Sequence, residues 1–269
     1  MSEAFHGRTL ATLTATGNVK VQKGFEPLVT GFVRVPFNDV AAIRALQGDN
    51  DVVAVMLEVI QGEGGLSALS QGALTEIRAI CDENQWLLML DEVQTGVGRT
   101  GQWFAHQIEG VKPDVMTLAK GLGSGVPVGA LLTAGRATGV FHVGAHGTTF
   151  GGNPLAMCAG LTTLDVIETD GLLDNARQQG QAIREGLAQA LSAQVAAGTV
   201  KSFRGVGLMI GIELDRPCAE LVKRALDAGL LINVTHDTVV RLLPPLVIND
   251  AESAELVSRL AAVIKEFLS

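Results

Sequence analysis

Two hydrophobic rhythms alternate along the chain. Short apolar runs of four to nine residues are followed by longer stretches in which apolar residues recur every three or four positions. Nearly continuous apolar runs predict buried strands, and the three-to-four spacing predicts amphipathic helices. On this basis residues 52–60, 86–91, 114–120 and 128–133 are predicted strands. The first runs into the Gly-rich turn Gln61-Gly-Glu-Gly-Gly65. Residues 67–85, with Leu74, Ile77, Ile80 and Cys81 in register, and residues 153–168 and 172–197 are predicted helices. Beyond them the pattern shortens to strands at 199–203, 208–214, 230–234 and 239–243. A helix at 218–228 interrupts these, and an amphipathic helix at 250–268 closes the chain. Strands alternating with helices imply an α/β fold with a mostly parallel sheet flanked by helices, and the tail implies a smaller α+β domain. The boundary is set near Thr169, giving domains 1–168 and 169–269.

Composition narrows the classes without changing the fold. A chain of 269 residues that is 47% hydrophobic and 18% charged can bury a sizeable core. Its formal charge of −8 disfavours nucleic acid and anionic membrane as main partners, because both need a basic surface. Cys81, Cys158 and Cys218 lie far apart and form no CxxC pair, so neither a disulfide framework nor a metal site is expected. No signal-peptide pattern opens the chain, and no apolar run reaches the ~18 residues of a membrane span. A cytoplasmic location is expected.

In open α/β sheets, ligands gather beyond the carboxyl ends of the strands. Asp91 and Lys120 each stand at such an end. An amine that can bond covalently to an aldehyde, with a carboxylate that can pair with a ring nitrogen, suggests a pyridoxal phosphate site. Taken singly, a lysine after an apolar run is usually a solvated surface residue, and an aspartate there is usually a cap or turn former. Their surroundings add weight. Lys120 runs into Gly-Leu-Gly-Ser-Gly, where small residues allow close approach to a bound group. His146-Gly-Thr-Thr-Phe-Gly-Gly-Asn-Pro154 sets two hydroxyls on a Gly-rich loop before a helix, which suits either a phosphate or a helix cap.

Gly96-Val-Gly-Arg-Thr-Gly101 matches the dinucleotide fingerprint GxGxxG in form only. The fingerprint needs a strand directly before its first glycine and a helix opening on its third. Here Glu92 to Thr95 intervene, and Gln102-Trp-Phe-Ala-His106 is a poor helix start, so the segment is expected to be a turn-rich connection beneath the site.

Phe5-His-Gly-Arg-Thr, Glu58-Val-Ile-Gln-Gly-Glu-Gly-Gly, Leu90-Asp-Glu-Val-Gln-Thr-Gly-Val-Gly-Arg-Thr-Gly, Thr117-Leu-Ala-Lys-Gly-Leu-Gly and Gly147-Thr-Thr-Phe-Gly-Gly-Asn-Pro follow one another across nearly the whole chain. In order and spacing this series resembles the class III pyridoxal-phosphate aminotransferases, and within them the acetylornithine/succinyldiaminopimelate group. The resemblance implies a fold-type I homodimer that moves the ω-amine of N-acetylornithine, or a related amine donor, to 2-oxoglutarate.

The resemblance also assigns roles. Lys120 matches the lysine that links to the cofactor and shuttles the proton. Asp91 matches the partner of the ring nitrogen, Val93 packs on one ring face, and Gln94 bonds the ring hydroxyl. Glu92, the other half of the acidic pair, is placed among the cofactor contacts. Phe5 matches the aromatic on the opposite ring face, and Thr149 a phosphate ligand reaching over from a partner subunit. Arg8 and Thr148 match substrate-touching positions. Arg241 matches the arginine that grips a substrate carboxylate, and Glu63 the glutamate that pairs with it in one half-reaction and releases it in the other. His6 and His146 are expected to shape the site, not to act as bases. Family members carry a further part before Phe5, with a phosphate-cradling helix start. The chain enters Phe5 without a preceding element and reads as a beginning cut into something larger. The second reading is therefore a noncatalytic remnant, or an ornithine- or 4-aminobutyrate-type member.

Overall fold

The computed structural model describes residues 1–269 as two compact units. The first comprises Met1–Gln61, Ala68–Val97 and Phe104–Val166; the second comprises Gly62–Ser67, Gly98–Trp103 and Ile167–Ser269. The main division thus falls at Val166, and two short pieces of the N-terminal half belong to the second unit.

The first unit is built on a four-stranded sheet in the order Ala54–Leu57, Leu87–Asp91, Val115–Leu118, Ala130–Thr133. The first three strands are parallel and the fourth is antiparallel. The predicted mostly parallel sheet is therefore present, with one antiparallel edge. The helix Ala73–Asn84 packs on the Leu87–Asp91 strand. Leu74, Ile77 and Ile80 on its apolar stripe and Leu88 and Leu90 on the strand are all buried. Full burial of each such side chain contributes roughly 1.5–3 kcal/mol. The helix stops at Gln85, whose left-handed φ of 57° turns the chain directly into the strand. Before this sheet lie three short helices, Leu10–Ala15, Val19–Gln22 and Val40–Arg44, which the hydrophobic pattern did not predict. They are too short to show a period.

The second unit carries an antiparallel sheet in the order Val200–Val206, Met209–Leu214, Val239–Leu242, Asn233–Thr235. The helices Leu172–Ala190 and Asp250–Leu268 pack together, and Ile183, Leu187, Ile210, Ile212, Leu260 and Ile264 form the centre of one core. The last helix starts with reciprocal bonds: Glu252 N–H donates to Asn249 Oδ1 and Asn249 N–H to Glu252 Oε2, each at 3.0 Å.

The GxGxxG-like segment is turn-rich, as expected. It opens no helix, and Gly98–Trp103 belongs to the second unit. Leu208 N–H donates to Arg99 O at 3.0 Å, and the Arg99 guanidinium donates to Pro244 O. Gly207, at φ 57°, is pressed against the segment: a Cβ there would lie 2.5 Å from Thr100 C and 2.7 Å from Arg99 O. Burial lowers the Arg99 guanidinium to about 10.

Candidate active site

In the first unit, three adjacent parallel strands deliver three ionisable residues at their carboxyl ends. Glu58 follows Leu57, Asp91 ends its own strand, and Lys120 lies just past Leu118. Asp91 is the register partner of Thr117, so Lys120 stands three residues beyond the carboxylate on the neighbouring strand. Lys120 is exposed and opens the 3₁₀ turn Lys120–Gly123 with a φ of 39°. A left-handed lysine is uncommon, and such strain concentrates at functional positions.

Asp91 is buried, and both of its oxygens are used. Val93 N–H donates to Oδ1 at 3.0 Å, which curls the chain into a tight turn carrying half-buried Val93 and Gln94. Oδ2 lies 2.8 Å from His6 Nδ1. The Phe5 N–H donates to Glu58 Oε1 at 2.8 Å. These two contacts, spanning 85 and 53 residues, fasten the Phe5–His6 segment over the strand ends. Arg8 stacks its guanidinium 5.7 Å from the centre of the Phe5 ring.

His6 and Glu58 are the residues whose importance the sequence reading understated. Glu58 carries the same signal as Asp91, a carboxylate directly after an apolar run. The signal for His6 was its place next to Phe5.

Glu92, expected among the cofactor contacts, is held by donors from the protein itself. Side chains alternate across a strand, so the residue after Asp91 points the other way. Its carboxylate is 0% exposed. It accepts Ala105 N–H at 3.0 Å and His106 N–H at 2.9 Å, and also the Thr95 hydroxyl. Burial raises the Glu92 carboxyl above its usual value, although these three donors oppose the rise.

Thr148, Thr149 and His146 lie on a loop that is exposed throughout residues 141–150. His146 packs edge-on to Phe141 at 6.2 Å, and Thr148 Oγ1 accepts Gly151 N–H at 3.2 Å. The helix that follows is capped by Asn153, whose Oδ1 accepts Ala156 N–H at 3.0 Å. The loop's helix-capping role therefore falls to Asn153. The two threonine side chains stand in the open.

In the second unit, Arg241 Nη1 lies 2.8 Å from Glu63 Oε1 and donates to Gly62 O at 2.9 Å, while Nη2 donates to Asn233 Oδ1 at 3.0 Å. The Arg241 side chain is 10% exposed and that of Glu63 is 40% exposed. The two expected partners are therefore together, and the carboxylate is the one with solvent access.

The first-unit constellation fits pyridoxal phosphate. It offers an accessible amine for the aldehyde, a hydrogen-bonded carboxylate for the ring nitrogen and a half-buried aromatic in Phe5. His6 Nε2 is a buried polar atom without a protein partner beside this group.

Comparison with known proteins agrees. Residues 1–264 match the family model for Aminotransferase class-III. Acetylornithine aminotransferase 1 of Bordetella pertussis is 55% identical over 270 residues, covering all of this chain and 68% of the relative. A solved ornithine aminotransferase from Toxoplasma gondii, described with partial occupancy of PLP at its active site, superposes with a TM-score of 0.93. It is 33% identical and is matched over 100% of this chain and 64% of its own. N-acetylornithine aminotransferase from Stenotrophomonas maltophilia gives a TM-score of 0.78 at 36% identity, over 89% of this chain and 65% of its own. The relatives are longer, and this chain spans about two thirds of their length. A lysine and a carboxylate on neighbouring strand ends, in a chain matched from end to end, place this protein in the class III aminotransferase family, whose cofactor is pyridoxal phosphate.

Proposed function

We propose that the chain transfers the ω-amine of N-acetylornithine, or of a closely related amine, to 2-oxoglutarate, giving the semialdehyde and glutamate. The observation that carries this reading is the register of Asp91 with Thr117, which sets Lys120 and Asp91 on neighbouring strand ends. The name of the Bordetella relative supports the choice of N-acetylornithine. An acetyl group on the α-nitrogen leaves the ω-amine as the reactive one.

Bound pyridoxal phosphate supplies a ring that takes up the electron pair released at the substrate carbon. The chain's own residues do the rest. Lys120 Nζ would hold the cofactor covalently between turnovers and would carry the proton to and from the substrate carbon. Asp91, held by His6 and the Val93 amide, would pair with the ring nitrogen. Phe5 and Val93 would cover the ring faces, Gln94 would bond the ring hydroxyl, and Arg8 and Thr148 would touch substrate.

Arg241 takes the side-chain carboxylate of 2-oxoglutarate in a bidentate fork. Glu63 occupies Arg241 when the donor has a neutral tail and swings away when the dicarboxylate arrives. The exposure of Glu63 beside the buried guanidinium supports this exchange. A second copy of the chain completes the phosphate site through Thr149. Support comes from the exposed apolar side chains Val140, Phe141, Val143 and Phe150 around that loop. No helix is long and apolar enough to cross a membrane, and the three unpaired cysteines support a reducing, cytoplasmic setting.

Single-turnover reaction of the cofactor-loaded protein with a panel of amines tests the proposal. N-acetylornithine, ornithine, succinylornithine, succinyldiaminopimelate and 4-aminobutyrate are compared by loss of the visible band. N-acetylornithine reacting fastest supports the reading, and no reaction with any amine sinks it in favour of a noncatalytic remnant.

A further inference from the structure

The chain leaves the first unit after Val97 and returns to it at Phe104. Both stems of this excursion are fastened to one side chain. On the outgoing side the Thr95 hydroxyl donates to Glu92 Oε2. On the returning side Ala105 N–H donates to Oε2 at 3.0 Å and His106 N–H to Oε1 at 2.9 Å. The Glu92 backbone is equally committed: its N–H donates to Thr117 O at 3.0 Å and its carbonyl accepts Gly96 N–H at 2.9 Å. The returning stem is braced in turn by His106, whose Nδ1 lies 2.6 Å from Val111 O and whose ring stacks on Phe104. Glu92 is fully buried, so the cluster is shielded from bulk solvent.

We propose that Glu92 is a positioning residue, whose carboxylate clamps the neck of the Gly98–Trp103 excursion and so holds the Asp91–Gln94 turn in the geometry that receives the cofactor ring. The role differs from that of Asp91, which touches the cofactor. Glu92 acts through its neighbours in the chain. Preorganisation of this kind needs a shell of bonds behind the contacting residues, and three donors converging on one buried carboxylate are such a shell. Gly96 fits the same picture: a Cβ there would lie 2.8 Å from Glu92 O and 3.3 Å from Glu92 Cβ, so the outgoing stem must pass close to the clamp. The inference rests on the aminotransferase reading for its effect on the cofactor, but not for the clamp itself.

The test compares wild-type protein, Glu92→Gln and, as a control on an exposed carboxylate, Glu83→Gln, each with and without pyridoxal phosphate. Glu92→Gln keeps the side-chain shape but turns one acceptor into a donor facing donors. Amide hydrogen exchange at Ala105 and His106 should accelerate roughly tenfold or more, and exchange at Val93 should accelerate with them. Cofactor affinity should fall about tenfold, and the pH at which the visible band of the lysine-bound cofactor titrates should move. Glu83→Gln should change none of these. A Glu92→Gln protein that melts lower, yet keeps Val93 exchange and the band's titration unchanged, overturns the proposal.

Should Glu92→Gln fail to fold, Thr95→Val removes one donor and keeps the carboxylate. It should give the same changes in smaller measure, and unchanged Val93 exchange in that variant overturns the proposal equally. Wild-type protein that shows no visible band would refute the aminotransferase reading instead. The exchange measurements on the cofactor-free proteins would then decide the clamp alone.

Discussion

His6 Nδ1 stands 2.8 Å from Asp91 Oδ2, joining residues 85 positions apart, and the His6 side chain is 1% exposed. A hydrogen bond to a charged group is worth about 1.5–3 kcal/mol, so its loss should be readable in cofactor affinity. His6→Ala is expected to weaken pyridoxal phosphate binding roughly ten- to a hundredfold. His6→Asn, whose amide can still donate to Asp91, should recover part of the loss. Titration of the visible band with cofactor measures both.

Arg241 and Glu63 give a prediction that separates substrates. Arg241→Ala should raise the KM for 2-oxoglutarate about a hundredfold while changing the amine half-reaction far less, because only the dicarboxylate needs the fork. Arg241→Lys should fall between, having charge without the bidentate geometry. Glu63→Gln should lower the KM for 2-oxoglutarate, since the competing intramolecular carboxylate is gone. Steady-state kinetics with each substrate varied checks all three.

Asp114 should govern part of the acid limb of stability. Burial alone would raise its carboxyl, but Leu88 N–H at 2.9 Å and Arg78 at 2.7 Å outweigh this and hold it below the usual aspartate value. A depressed carboxyl gives stability that is fully present above the unfolded value and is lost as pH falls through the folded one. Asp114→Asn should therefore lower stability near neutral pH by about 1–3 kcal/mol and flatten the decline below about pH 4. Urea midpoints between pH 2 and 7 give the comparison, and the difference between the two curves isolates this group.

Gly207→Ala should destabilise the second unit by about 1–3 kcal/mol. The added methyl would meet the Thr100 and Arg99 backbone, and φ is 57°. Thermal unfolding with a probe in the second unit should register the loss. An unchanged melting curve would show that the Gly98–Trp103 segment is not held there as described.

How much of this was legible beforehand follows from how local each signal is. The last helix was read to the residue, 250–268, because its amphipathic apolar period carries it to Leu268. The strand ends at Asp91 and near Lys120 were legible because apolar runs stop at charged residues. The orientation of Glu92 was not, because alternation at the last strand residue decides it and the bonds that hold it come from Ala105 and His106. The allegiance of Gly98–Trp103 to the second unit was also hidden. It depends on Arg99 meeting Leu208, 109 residues on, and no periodicity records such a contact. The same is true of Phe5 and His6, which reach the site through partners at Glu58 and Asp91.

The most direct test of the central claim, that Lys120 and Asp91 on neighbouring strand ends hold the cofactor, is the visible absorption spectrum of purified protein after addition of pyridoxal phosphate. A lysine-bound chromophore is predicted in wild-type protein, absent in Lys120→Ala and weakened in Asp91→Asn. A spectrum that is the same for wild type and Lys120→Ala would contradict it.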